Sequence, residues 1–452
     1  MKNRTIYTAL LLAALVTGAT LTAIAQEGIH RKVTLNEAIE LSLKNSKQLK
    51  LGQAKTDEAH AALREARERR LPDLKTSASY MRLNSPDVDL KLPTSSQQAS
   101  EGGANNSQTV KVDQAMFGMS TLSVPVFSGF RINYGIESAR YLEQATLLDA
   151  EKDKDEVVLN VLSAYSNLYK AAAAVELMEE NLKSAQQRAK ELTNLEQNGL
   201  LARNDLLKAE LQTSNVELAL EDAKNNYRVA MLHMNLMLGL DRSTVLKIDN
   251  NTFNELTLGA MDRNFVAYAL ANRKDIAALE MREKAAATGV KAVKGEYYPN
   301  LAVTGGYVAV HVPHLLTVTN ALNAGIGLQY NFGALWKTGA RVQEAKARVQ
   351  QMRATKEMLQ DAITLQVEQA SINCLSARKK ISVYEKAIAQ SEENYRIVKN
   401  KYDNNLATTT ELLDADIAQL QARLNYSNAK ADAVVLYNKL LQVSGLLNEQ
   451  TN

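Results

Sequence analysis

Two stretches, NGLLARNDLLKAE (198–210) and NNLATTTELLDAD (404–416), carry one small loop pattern twice, 206 positions apart. Each is followed by a long polar-apolar helix pattern, and each interrupts an interval almost free of helix breakers. The six prolines, Pro72, Pro86, Pro93, Pro125, Pro299 and Pro313, fall in two windows, 72–125 and 299–313. Between Gly135 and Gly239 only Gly199 occurs, and between Gly339 and Gly445 there is no glycine. Because Pro and Gly disfavour helix interiors most strongly, these intervals predict very long helices.

Apolar periodicity supports the same reading. From 342 onward Val342, Ala345, Val349, Met352, Leu359, Ile363, Ala370, Cys374, Ala377, Ile381, Tyr384, Ile388, Tyr395, Val398 and Tyr402 step by three, four or seven. That is a heptad-like seam. At 1.5 Å per residue, a helix over about 337–402 would be on the order of 100 Å long. The interval 131–196 has the same character, with Leu147, Val158, Leu162, Tyr165, Leu168, Leu177 and Leu192. Ordinary globular helices average about three turns, so such lengths require a reason.

The windows rich in Pro and Gly alternate with period two instead. In NAGIGLQYNF (323–332), Ala324, Ile326, Leu328, Tyr330 and Phe332 share a face opposite Gly325, Gly327, Gln329 and Asn331. LAVTGGYVAV (301–310) sets Leu301, Val303 and Tyr307 against Ala302, Thr304 and Gly306, and LKTSASYMRL (74–83) and FGMSTLSVPV (117–126) are weaker versions. Ten-residue strands with one apolar face and one small or polar face suit a transmembrane barrel. Four strands cannot close one, and open edges cannot face lipid, so such a chain must oligomerise. Two copies would give eight strands and a filled interior; three would give twelve and room for a lumen.

The halves correspond beyond their loops. NSKQL (45–49) matches NRKDI (272–276), and LPDLKTSASY (71–80) matches YPNLAVTGGY (298–307), both displaced by 227; MLGL (237–240) answers VSGL (443–446) at 206. The difference locates one polar insertion at 84–113, suited to a long external loop. Each half therefore reads helix, strand, strand, long helix, turn, helix. In this duplicated order the chain resembles the TolC family of trimeric outer-membrane efflux channels. The resemblance covers nearly all of the mature chain. It rests on the L-P-x-L and Y-P-x-L strand openings, the N-x-x-L/I openings, the G-L-L-A-x-x-D-L-L-x-A and N-L-A-T-T-T-E-L-L-D-A turns and the closing G-L.

The fold expected is mainly α with a transmembrane β-barrel: three copies would form a 12-stranded barrel joined to a long periplasmic α-barrel. The first repeat would span 26–240, with strands about 73–83 and 116–127 and helices about 131–196 and 203–239. A connector at 241–260 would form an equatorial region, with a short strand at Val245–Ile248. The second repeat would span 261–447, with strands about 300–311 and 322–332 and helices about 337–402 and 409–444, before a tail at 448–452.

Composition is consistent with export. Residues 1–25 read as a signal peptide, with basic Lys2 and Arg4, an apolar core and the small-x-small site Ala23-Ile24-Ala25. The net charge of +3 drops to about +1 without it, and no basic stripe suggests nucleic acid. The only cysteine, Cys374, lies in a helical pattern as a small core residue. Catalytic dyads, phosphate loops and metal spacings are lacking, so neither an enzyme nor a cofactor is expected; His311 and His314 have no accompanying carboxylate or cysteine and read as outer loop. Tyr80, Phe127, Phe130, Tyr307 and Trp336, near strand ends, suit an interfacial girdle, with ordinary packing as the alternative.

The resemblance implies a passive conduit in the outer membrane of a Gram-negative bacterium, with a long periplasmic portion. Its partners would be outer-membrane lipid, a periplasmic adaptor (membrane fusion) protein and an inner-membrane transporter of RND or ABC type that supplies the energy. Gly199, Leu200, Leu201 and Ala202, with Asn405, Leu406, Ala407 and Thr408, would form the periplasmic tips where the adaptor docks. Asp205 would match an acidic tip residue, Glu411 and Asp414 the acidic pair lining the constriction, and Tyr402 a tyrosine of its restraining network. The family's best-known lock has an arginine where this chain has Ala407, and Arg203 is the candidate substitute. Three copies of Glu411 and Asp414 would make a cation-attracting ring; the same carboxylates also suit a helix's first turn. The competing class is a secreted coiled-coil structural or adhesion protein with incidental hairpins.

Overall fold

A computed structural model describes residues 30–84, 86–88, 110–248, 253, 263–313 and 315–447. The expected signal peptide, most of the insertion, His314, most of the connector beyond 248 and the tail lie outside the described residues. The first half runs β1 (His30–Val33), α1 (Leu35–Asn45), α2 (Lys47–Glu68), β2 (Asp73–Arg82), β3 (Asp87–Val88), β4 (Val110–Lys111), β5 (Gln114–Phe127), α3 (Arg131–Gln197) and α4 (Arg203–Leu238). After β6 (Val245–Ile248), the second half runs α5 (Phe265–Asn272), α6 (Lys274–Lys294), a 3-10 turn, β7 (Asn300–Val312), β8 (Leu316–Gln329), α7 (Ala334–Asp403) and α8 (Thr409–Val443). Two compact units result. Of the described residues, one unit takes those within 52–150 and 274–361, and the other takes those within 30–51, 151–273 and 362–447.

The first unit holds a four-stranded antiparallel sheet in the order β2-β5-β7-β8. Its register fixes two faces. The pairs Leu74↔Leu122, Val124↔Val303, Leu301↔Leu328, Val303↔Ile326 and Tyr307↔Leu322 lie on one side. The pairs Lys75↔Thr121, Ser123↔Thr304, Ala302↔Gly327 and Thr304↔Gly325 lie on the other. Leu322, Ile326 and Leu328 are 82%, 75% and 69% exposed, which no folded apolar face tolerates in water at this density. A bulge at Pro125–Phe127 ends the regular pairing of β5 where proline has no N–H to give.

β8 differs from its expected span of 322–332. It begins at Leu316, because a bulge near Val308 and a left-handed Asn320 keep the hairpin paired toward its tip. It ends at Gln329, because Asn331 turns the chain, accepting from the Gly333 and Ala334 N–H groups. Tyr330 and Phe332 therefore leave the strand and stack edge-to-face at 4.8 Å. Where β5 gives way to α3, Gly129 has φ +62° and meets the backbone of Gly295; a Cβ there would lie 2.1 Å from the Gly295 carbonyl oxygen.

The second unit is helical around Tyr165, Leu168, Val161, Met234 and Leu238. Here the first strand, absent from the sequence reading, pairs in parallel with β6, and the Tyr165 hydroxyl donates to the Val33 carbonyl at 3.1 Å. The matched motifs also acquire a reason. Left-handed Gly239, closing the first repeat, packs on Asn45, whose amide donates to the Leu238 carbonyl; left-handed Gly445, closing the second, packs on Asn272. Each half is clasped on itself by its opening asparagine and closing glycine.

The seam expected along α7 is inward-facing: Val342, Val349, Ile363, Ala370, Cys374 and Ala377 are buried. A second apolar stripe runs on the opposite side, with Met358, Leu365, Ile372 and Leu375 all more than half exposed. α4 has its own, through Leu211, Leu218, Val229 and Leu236. Covering each such side chain would be worth roughly 1.5–3 kcal/mol.

The two left-handed glycines separate strain from crowding. Gly129→Ala should cost on the order of 3 kcal/mol or abolish folding, since backbone must move. Gly199→Ala, with nothing within 4 Å of the new Cβ, should cost only about 1 kcal/mol of conformational strain. Urea unfolding midpoints measure the difference; equal costs would mean that the Gly129–Gly295 approach contributes nothing.

Candidate functional site: the paired helix turns

The two quoted loops fold as matching helix-to-helix turns. α3 closes with Gly199 at φ +73°, its N–H bonded to the Glu196 carbonyl and that of Leu200 to Leu195. α7 closes in the same way with Asn405 at φ +59°, its N–H bonded to Tyr402 and that of Leu406 to Lys401. Glycine has no Cβ to clash in this conformation, and asparagine tolerates it better than most residues. Leu200 and Leu406 then project into solvent, 75% and 76% exposed. Leu201 and Tyr402 turn inward instead, packing on Leu192, Leu206 and Ala209.

The starts of the following helices differ. Thr408 caps α8: its hydroxyl accepts from the Glu411 N–H, and the Glu411 carboxylate accepts from the Thr408 N–H at 2.7 Å. These bonds, the backbone one foremost, hold the Glu411 pKa below the usual carboxylate range. Glu411 thus serves as a first-turn carboxylate, one of the two roles its position suggested, while Asp414 is exposed one turn on. α4 has Ala202 at the cap and no side-chain bond. Asp205, the positional match of Glu411, pairs with Lys208 at 3.2 Å, and Lys208 reaches across to Thr410 at 3.4 Å.

Within one chain Arg203, the candidate substitute for the arginine missing at Ala407, turns to its own hairpin. It pairs with Glu196 of its own hairpin at 3.7 Å, because the first helical residue of α4 points back along α3. The arginine that bridges the hairpins is Arg188 of α3. Its Nη2 donates to Asp416 of α8 at 2.5 Å, its Nη1 donates to the Tyr395 hydroxyl of α7 at 2.9 Å, and Asn181 donates to the same Asp416 oxygen at 3.3 Å. Both charged side chains are about six-sevenths buried, so the pair is mutually dependent. Sequence offered no sign of it, since Arg188 sits in a charged helical run like any other. The positions related by the repeat, Asn394 and Glu210, cannot form an ion pair.

The aromatic residues lie around the sheet. Phe127 packs edge-on against Phe130 at 5.4 Å, and Phe130 and Trp336 are 53% and 70% exposed just beyond the strands. Tyr80 is two residues from the other end of β2, its hydroxyl donating to Gln114. Tyr307 departs from the expectation: it stands eighth of thirteen residues in β7, inside the strand rather than near its end. His311 faces Thr317 at 2.9 Å across the hairpin.

Among the described residues no helix is long and apolar enough to cross a membrane; the sheet carries an exposed apolar face. Comparison with known proteins agrees. A family profile described as outer membrane efflux protein matches residues 38–240 and 266–446. Outer membrane efflux protein BepC of Brucella suis is 21% identical over 338 residues, 72% of this chain and 71% of the relative. Toxin and drug export protein A of Aggregatibacter actinomycetemcomitans is 21% identical over 330 residues, 68% of each. The solved structure of VceC from Vibrio cholerae superposes with a TM-score of 0.72 at 20% identity, over 91% of this chain and 96% of that one. With both repeats covered by one profile, the chain belongs to the outer membrane efflux protein family, the TolC-like channels of the outer membrane.

Proposed function

We propose that three copies of this chain form a passive conduit that carries cargo across the outer membrane, receiving it from a periplasmic adaptor protein and an inner-membrane RND or ABC transporter. One observation carries the reading: a four-stranded sheet with an exposed apolar face and, among the described residues, partners on only one side of β2 and of β8. Unpaired strand edges in hydrocarbon cost several kcal/mol per group, so β8 of one copy must meet β2 of the next. Three copies give twelve strands, enough for a lumen. Phe127, Phe130, Trp336 and Tyr80 would then line the two membrane interfaces. The exposed stripes on α4 and α7 would be covered by neighbouring copies. Cargo could range from drug-sized molecules to a toxin, as the name of the Aggregatibacter relative has it.

In this reading the turns at 198–202 and 404–408 form the periplasmic mouth. Exposed Leu200 and Leu406, with Gly199, Ala202, Asn405, Ala407 and Thr408, offer the adaptor a small apolar knob on each hairpin. The Arg188–Asp416–Tyr395 cluster and the Lys208–Thr410 bond hold the two hairpins of one copy together, so a mouth that widens by separating them must break both. Asp414, exposed beside the cap, is the carboxylate freest to line the opening; Glu411 is committed to Thr408.

Three results would test these assignments. Leu365→Asp with Ile372→Asp should abolish the trimer in native mass spectrometry while the monomer keeps its helical circular dichroism; an intact trimer would remove α7 from the interface. Arg188→Met, which leaves Asp416 largely buried without its cation at a cost of about 3 kcal/mol, should raise the open fraction in planar bilayers at least about tenfold. An unchanged open fraction would mean that the hairpins do not move apart. Replacing Glu411 and Asp414 together by alanine should weaken cation selectivity, most of the effect coming from Asp414; unchanged reversal potentials would place both away from the narrowest point.

A further inference from the structure

The corner where β5 gives way to α3 carries positive charge that the chain leaves largely unbalanced. Arg70, just beyond α2, donates to the Asn133 side chain at 2.7 Å. Arg131 donates to the Asn300 side chain and the Ser128 carbonyl, so every one of these acceptors is neutral. Lys291 lies 5.8 Å from the centre of the Tyr134 ring. Among the described residues none of these three, nor Arg67 a turn before Arg70, forms an ion pair. The nearby acids are otherwise engaged, Glu65 with Arg69, Asp73 with Lys75 and Glu296 with Arg341. Glu68 is left to offset one cation.

Beside Arg70 opens a recess of about 340 Å³ whose other walls are mostly apolar: Val126, Phe127, Phe130 and Ile132, with Asn133. The bulge in β5 sets Val126 and Phe127 against the single residue Leu301, which shares the exposed apolar face of the sheet with Leu328. Val126 and Phe130 are 60% and 53% exposed. Phe130 also has φ +61°, a costly conformation for a large side chain. Local strain thus holds an aromatic ring at the rim of the apolar face, next to an arginine without a carboxylate.

We propose that this recess binds an anionic glycerophospholipid, its phosphodiester on Arg70 and the first carbons of an acyl chain against Val126, Phe127 and Phe130. The inference rests on the conduit reading above, which sets this corner at the boundary between hydrocarbon and periplasm, and adds a lipid partner of defined charge to it. A guanidinium offers parallel N–H groups that match phosphate oxygens in pairs. The surplus of cations, Arg67 included, favours a headgroup with no ammonium of its own. A free phosphate would use the guanidinium and leave the aromatic walls in water, whereas a lipid covers both halves of the recess.

The test titrates the purified full-length trimer, in detergent micelles, with phosphatidylglycerol and counts bound lipid by native mass spectrometry. Phosphatidylglycerol should bind at least about tenfold more tightly than phosphatidylcholine, and Arg67→Gln with Arg70→Gln should abolish that preference. Phe130→Gly, which suits the left-handed backbone and removes only the ring, should weaken binding roughly fivefold. Lys183→Gln with Lys190→Gln, an equal loss of charge later in α3, should leave it unchanged. Equal phosphatidylglycerol affinity in the native and double-arginine variants would overturn the proposal. Displacement of the lipid by inorganic phosphate would also overturn it, as the mark of a simple anion site. Loss of the trimer in the double-arginine variant would do the same, by assigning the recess to contact between copies. In each of these cases ion conduction by the native protein leaves the conduit standing; its absence would remove the conduit and this site together.

Discussion

A peptide group in hydrocarbon must have a hydrogen-bond partner, and this chain leaves two rows of such groups open. β2 and β8 are the edges of a sheet whose one face is too apolar for water and whose strands are too few to close. That demand for neighbours extends to the helices. The second apolar stripes on α4 and α7 lie opposite the stripes the chain buries for itself, and in the proposed trimer neighbouring copies cover both them and the strand edges. One physical demand, cover for exposed apolar surface, is thus expressed in two kinds of secondary structure.

Duplication supplied most of this architecture cheaply. The asparagine–glycine clasp occurs in both halves, Asn45 with Gly239 and Asn272 with Gly445, and so does the left-handed turn, with Gly199 and Asn405. Besides the insertion in the first half, the halves differ in polar chemistry at the turns. Only α8 has a capping box, and only one diagonal of the repeat carries an ion pair, Arg188 with Asp416. A symmetric tube with asymmetric fastenings can hold its backbone geometry while one hairpin is secured more firmly than the other.

Features governed by local period were legible without a structure. The breaker-free intervals forecast α3 and α7, the two-residue alternation forecast the four main strands, and the paired loops located the turns. The limits of that reading are instructive. Strand β8 was shifted because Tyr330 and Phe332 continue the alternation after the hydrogen bonds have stopped, and Tyr307 lies inside its strand. β1 was missed because four residues carry too little pattern, and its existence depends on β6, more than 200 positions away.

Most segments of helix, strand and turn, and the repetition of the halves, could be read from the order of residues alone. These follow from spacing along the chain, which side-chain periodicity records directly. The three-dimensional fold was needed to see that β5 pairs with β7 to join the repeats, that Arg188 spans the hairpins, that Glu411 is bound to its own helix cap, and that Phe117 and Met119 share a face with Lys75 and Thr304. Each of these depends on which distant residue stands opposite, and no local period encodes a partner.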